Sequence, residues 1–182
     1  MESIKRKVIF FDRDGIVNHR IINDYIKTPE EFVLKDYFAD LFKLFKEAGY
    51  LAIIITNQQG IGKGIMSIKE LNMVHTHMQN LLIETTGFKF DDIYFCVDLK
   101  ESNSFRRKPN PGMIFEAIEK WNISASESWM FGDQPTDTAA GRASGVKTAL
   151  IGYIESEENF EADLIFKDLQ SAFIYFEKEF NL

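Results

Sequence analysis

Of the 182 residues only one is a cysteine, Cys96, so the chain cannot close an internal disulfide and suits a reducing compartment. Basic residues are also scarce: 21 Lys and Arg stand against 28 Asp and Glu, for a formal charge of -7 and a pI near 5.1. That balance argues against non-specific binding to nucleic acid, whose phosphates require a basic surface. A small phosphorylated metabolite stays admissible if a cation accompanies it. A long apolar run is missing at the start: MESIKRK is followed by VIFF and then Asp12, too short for a signal sequence or a membrane span. No internal repeat, low-complexity tract or interdomain linker interrupts the chain. The expectation is therefore a soluble, cytoplasmic protein, a monomer, with residues 1–182 as one domain. A composition 45% hydrophobic with 17 Phe gives it enough to bury one good core.

What is present is a regular alternation of strand-like and helix-like stretches, the pattern of a doubly wound parallel α/β sheet. Strands are expected at 8–11, 50–56, 91–97, 128–133 and 146–152, with ADLIF (162–166) adding a short one. Helices are expected over 36–48, from Ser67 (with Glu70 as a capping box) to Gly87, from Asn110 and Pro111, over 135–144, and from about Asp168. The aromatic residues Phe173, Tyr175, Phe176 and Phe180 read as the packed side of the last helix.

Four polar segments sit at the carboxyl ends of these strands: Asp12 and Asp14 in VIFFDRDG, TNQQGIGKG at 56–64, RRKPNPG at 106–112, and FGDQPTDTAAG at 131–141. Ligands of open α/β sheets bind at that edge, so the four can converge there. Asp12 and Asp133 offer hard oxygen donors suited to Mg2+. Asp12, first off its strand, can attack phosphorus to form an aspartyl-phosphate, while Asp14 is tethered to protonate the leaving oxygen and later to take a proton from water. The latter role needs a carboxyl that is neutral near pH 7, which crowding by Asp12 would favour. Thr56 offers a hydroxyl, Asn57 a backbone N–H and Lys108 a positive charge to the phosphoryl oxygens. Pro109 and Pro111 stiffen the Lys108 loop. Asp137 can hold Lys108, assist a metal-bound water or cap a helix. GIGKG lacks the spacing of a nucleotide-binding phosphate loop and reads as a flexible strand-to-helix connection. His75 and His77, two apart on a helix, face different ways and do not share a metal; His19 reads as a surface residue.

In order, and over nearly the whole chain, these segments resemble the four motifs of the haloacid dehalogenase superfamily. DRDGIVN, TNQQGIGKG, RKPNPGM and GDQPTDTAAG are similar to its branch of heptose-bisphosphate 7-phosphatases and histidinol-phosphatases. The resemblance implies a Rossmann-like core and a magnesium-dependent phosphatase of small metabolites, most simply one removing the 7-phosphate of D-glycero-D-manno-heptose 1,7-bisphosphate. It implies Asp12 as nucleophile, Asp14 as proton donor, and Thr56 and Lys108 as phosphoryl stabilisers. Arg107 would aid substrate recognition, and Asp12, the Asp14 main-chain carbonyl and Asp133 would hold magnesium. Neither interval used for cap insertion is long enough for a full cap, which leaves specificity to the loop from His19 to Glu31, to Gln58 and Gln59, and to Arg107.

Two departures stand out. Relatives carry a structural zinc on Cys-x-His and Cys-x-Cys, whereas this loop has Cys96 and Asp98, then Ser104 and Arg106, so no zinc is expected. Gln134 stands where relatives often place Lys. Alternatives are histidinol phosphate as substrate, a polynucleotide 3'-phosphatase, an idle homologue used as a binding module, and a receiver-like phosphoacceptor domain. The last places its acceptor Asp on strand three and its Thr on strand four, an order unlike this one.

Overall fold

The computed structural model describes residues 5–152 and 161–180. The residues MESI, part of the stretch read for targeting, lie outside them. Six strands form one parallel sheet: β1 (Val8–Phe11), β2 (Leu51–Asn57), β3 (Asp92–Cys96), β4 (Trp129–Gly132), β5 (Lys147–Ile151) and β6 (Leu164–Phe166), in the order β3-β2-β1-β4-β5-β6. Helices α1 (Phe38–Glu47), α2 (Gln59–Gly62), α3 (Ile68–Thr86), α4 (Gly112–Trp121), α5 (Pro135–Ala143) and α6 (Leu169–Phe180) complete the described chain. β1 pairs with β2 on one side and β4 on the other, so Asp12 emerges at the middle of the sheet.

Alternation along β1 divides the interior. Ile9 and Phe11 point into a phenylalanine-rich core with Phe38, Phe42, Phe45, Phe90, Phe131 and Phe176, while Val8 and Phe10 face a second core containing Ile53, Ile55, Met113, Ile114 and Met130. Every residue of β1 is buried, as a central strand covered on both faces requires. Most rings of the first core meet edge-on or tilted, as in Phe11 against Phe38 at 5.2 Å and Phe45 against Phe176 at 4.9 Å, while Phe38 and Phe90 stack at 6.2 Å.

Local signals set several boundaries. Ser67 and Glu70 form the expected capping box of α3, which Gly87 closes in the left-handed conformation. α1 starts two residues later than expected, because Tyr37 is itself left-handed (φ 62°) and breaks the helix. α4 begins at Gly112 with Pro111 as its cap residue; Asn110 instead donates its side-chain amide to the Ser104 carbonyl. GIGKG is not an open connection: its first part is the helical turn α2, packed so closely that a Cβ on Gly60 would lie 2.9 Å from the Tyr25 ring. Phe173, Phe176 and Phe180 pack into the first core as expected, but Tyr175 is 38% exposed and rests its ring on Phe166. Between β1 and α1 there is only a loop with one 3-10 turn, and among the described residues no cap domain is inserted. No helix among them is long and apolar enough to cross a membrane.

Candidate active site

The carboxyl edge of the sheet gathers the other three segments around Asp12. Lys108, 3% exposed, reaches Asp12 Oδ1 at 2.8 Å, Asp137 Oδ1 at 2.7 Å and the Ile55 carbonyl at 2.7 Å. Its three N–H donors are thereby all engaged, and the ammonium is fixed in place. Asn57 holds the backbone of the same residue from both sides: its Oδ1 accepts from Lys108 N at 3.1 Å and its Nδ2 donates to Lys108 O at 3.0 Å. Asp137 serves two of its anticipated roles at once, since its Oδ2 also accepts from Gln134 N and closes the capping box of α5.

Burial pushes the Asp12 carboxyl up to about 6 against the pull of Lys108, and the charges of Asp137 and Asp14 push the same way as burial. Burial and then the charge of Asp12 also raise Asp133, with Arg20 opposing. Asp12, Asp133 and Asp137 can each bring an oxygen within 4.8 Å of the others. Such mutual repulsion at short range is relieved by a cation, and the oxygen-only donor set of Asp12, Asp133 and the Asp14 main-chain carbonyl fits a hard divalent one. Gly15 makes the approach possible: it sits at φ +106°, and a Cβ there would lie 2.1 Å from Asp133 Oδ2.

Asp14 has a different environment. Burial works to raise its carboxyl, but the Arg13 guanidinium and hydrogen bonds from Asn18, Arg13 and Gln58 outweigh it and hold Asp14 below the usual carboxylate range. Arg13 is fully buried and grips both Asp14 oxygens at 2.9 Å through Nη2, while its Nη1 lies 3.2 Å from His75 Nε2. A guanidinium only donates, so His75 Nε2 is the unprotonated acceptor. Burial and then the Arg13 charge press His75 down to about 3. The crowding argument from sequence therefore fails at Asp14: Arg13, not Asp12, dominates its surroundings.

Above this floor opens a cleft of about 620 Å3 whose lining includes Asp12, Asp14, Thr56, Asn57, Gln59, Arg107 and Lys108 together with Arg20, Tyr25 and Lys63. Arg107 donates to the Asp98 carbonyl at 3.0 Å and to Gln59 Oε1 at 3.4 Å, so these two sequence candidates meet at the rim. Gln58 is a correction. It is fully buried and does not line the cleft; its Nε2 donates to Asp14 Oδ2 at 2.9 Å and Thr56 Oγ1 at 3.0 Å, which makes it a support for those two. His19 is exposed and does not line the cleft either. His77 meets the Phe32 ring edge-on, away from His75. In the loop compared with zinc sites, Cys96 Sγ donates to Asp98 at 3.4 Å and lies 3.9 Å from Ser104 Oγ.

The family model described as haloacid dehalogenase-like hydrolase matches residues 9–151. The chain belongs to that family. A D-glycero-beta-D-manno-heptose-1,7-bisphosphate 7-phosphatase of Helicobacter pylori is 37% identical over 145 residues, which is 80% of this chain and 83% of the relative. A D-glycero-D-manno-heptose-1,7-bisphosphate 7-phosphatase of Chlorobaculum tepidum is 35% identical over 92% of this chain and 89% of its own. The crystal structure of D,D-heptose 1.7-bisphosphate phosphatase from B. bronchiseptica, complexed with magnesium and phosphate, superposes with a TM-score of 0.85 at 23% identity, covering 95% of this chain and 99% of that one. At that identity the likeness speaks for the fold.

From the sequence Arg13 carries no role, His75 is weighed only as a metal ligand, and Arg20 enters only as part of the specificity loop from His19 to Glu31, not as a partner of Asp14 and Asp133. Arg13 had a signal: between Asp12 and Asp14, strand alternation turns it away from the edge and into the interior. His75 faces the core side of α3 in step with Leu71, Met78 and Leu82, a weaker signal. Arg20 had none, because its position depends on the path of a loop.

Proposed function

We propose that this chain is a magnesium-dependent phosphatase that hydrolyses a small phosphorylated sugar through an aspartyl-phosphate on Asp12. The observation that carries the reading is the buried Asp12–Lys108–Asp137 cluster at the floor of one cleft, with an Asp133 oxygen within 4.8 Å of those of Asp12 and Asp137. Asp12 attacks phosphorus as the bond to the leaving oxygen breaks, and Asp14 gives that oxygen a proton. Water then attacks the aspartyl-phosphate, Asp14 takes the proton from it, and inorganic phosphate and the Asp12 carboxylate are restored. Lys108 and the Thr56 hydroxyl offset charge on the transferring oxygens. Magnesium bound by Asp12, Asp133 and the Asp14 carbonyl would supply further charge neutralisation. Asp14 is charged in the free protein, the form the second half of the reaction needs. A dianionic phosphoryl group entering beside it favours uptake of the proton that the first half needs.

The most economical substrate is D-glycero-D-manno-heptose 1,7-bisphosphate, with its 7-phosphate removed, because relatives that cover most of this chain carry that activity in their names. Arg107, Gln59 and Asn57 are the candidates to contact it. One domain, a monomeric state and a cytoplasmic location complete the proposal, supported by the one sheet shared by both cores, the free Cys96 and the acid-rich composition. The test is phosphate release from heptose bisphosphates, other sugar phosphates and histidinol phosphate, with Mg2+ and with a chelator. Release from the heptose bisphosphate that requires Mg2+ and disappears in Asp12→Asn is the expected result; a fully active Asp12→Asn variant overturns the mechanism. Preference for histidinol phosphate would transfer the chemistry to the alternative substrate.

A further inference from the structure

Arg20 occupies a specific pair of oxygens. Its Nη2 donates to the Asp14 main-chain carbonyl at 2.9 Å and to Asp133 Oδ1 at 3.0 Å. These are two of the donors that the magnesium reading requires, and the inference rests on that reading. Of the three clustered carboxylates, Lys108 pairs with Asp12 and Asp137, while Arg20 pairs with Asp133.

The ordinary explanation is an ion pair that pins a surface loop. Two observations argue for more. The backbone around Arg20 is held without its side chain: His19 N donates to the Val33 carbonyl at 2.9 Å, Asn18 Nδ2 donates to the His19 carbonyl at 2.9 Å, and Tyr25 is seated on Gly60. The side chain, 43% exposed, can therefore leave its acceptors while the loop stays in place. The second observation is which oxygens it uses. A divalent ion needs its ligands' lone pairs directed at it, and a guanidinium nitrogen bonded to the same two oxygens repels that ion at contact distance. Arg20 and the metal exclude each other there.

We propose that Arg20 stands in for the divalent cation in the free protein and, once displaced, becomes an anion-binding residue of the loaded cleft. Tethered at its backbone, a displaced Arg20 remains among the cleft residues, adding a third cation to Lys63 and Arg107. Metal binding thus releases a guanidinium, whose planar fork suits phosphate oxygens, into the space a phosphorylated substrate enters.

The inference makes two effects of one substitution run in opposite directions. Calorimetric titration of the full chain with Mg2+ alone, and then with inorganic phosphate at saturating Mg2+, reads them separately without turnover. In Arg20→Ala, Mg2+ is expected to bind roughly three- to tenfold tighter, since a partly exposed, charge-assisted contact no longer competes. Phosphate is expected to bind weaker by a similar factor. Arg20→Lys, which keeps the charge and loses the fork, should fall between, and a thermal melt within a few degrees of the parent checks the fold. Unchanged or weaker Mg2+ binding, or phosphate held as tightly as by the parent, overturns the inference. If the parent chain itself binds no Mg2+, the metal reading of the site fails, and the role of Arg20 fails with it.

Discussion

The floor and the rim of this cleft use arginine in opposite ways. At the floor Arg13 is fully buried, bonded to both oxygens of Asp14 and backed by His75; at the rim Arg20 is 43% exposed and linked to the metal-side oxygens by one nitrogen. The same guanidinium is a fixed structural charge in one place and a removable one in the other. The difference is environment: a buried ion whose partners leave is stranded at a cost of several kcal/mol, whereas water replaces the partners of an exposed one almost freely. Groups that perform chemistry in this fold belong to the first kind, because preorganised dipoles and charges act most strongly when they cannot reorient. Groups that select or admit a ligand belong to the second.

Substitutions can break that contrast. The largest effect is expected at Lys108. Lys108→Met leaves Asp12 and Asp137 buried without their cation, and we expect a loss of about 3–5 kcal/mol in urea unfolding together with a drop of roughly a thousandfold in kcat/KM. A variant of parental stability would mean that the floor is wetter than its geometry indicates. Next comes His75→Leu, which removes the acceptor from one Arg13 N–H while retaining volume. A cost of about 1–3 kcal/mol is expected in the same unfolding measurement, partly restored in His75→Gln.

His75 also sets a pH dependence. Its folded value is pressed from the usual 6.5 to about 3, so below pH 6.5 the unfolded chain takes up a proton that the folded chain refuses. Stability should therefore fall as pH drops from about 6.5 toward 3, by at most about 1.4 kcal/mol per pH unit from this group. Thermal melts across that range should show a shallower slope in His75→Leu. The smallest effect belongs to the rim: Gln59→Ala loses its 3.4 Å contact with Arg107 and should raise KM by roughly two- to fivefold with kcat unchanged. A change confined to kcat would place Gln59 with the floor instead.

Legibility followed the same division. The capping box of Ser67 and Glu70 was readable because both groups lie within one helical turn, and Asp12, Thr56 and Asp133 because each terminates an apolar run. Tyr37 hid the start of α1, since a left-handed tyrosine has no composition signal. Gln58 shares a short polar segment with Asn57 and Gln59, which do line the cleft, but its own side chain turns inward to Asp14, a direction the segment does not encode. Asn57 was valued for its backbone N–H, yet its side chain clamps Lys108 across 51 positions of sequence, a contact no local pattern encodes.

Sequence alone determined the alternation of strands and helices, the strand that carries Asp12, and the carboxylates brought to the sheet edge, because periodicity and strand ends are properties of neighbouring residues. Tertiary structure decided the state of each charge. Whether a carboxyl is raised like Asp12 or held down like Asp14 depends on burial and on cations delivered from distant loops and helices, and electrostatic energy responds to distance through space, whatever the separation along the chain.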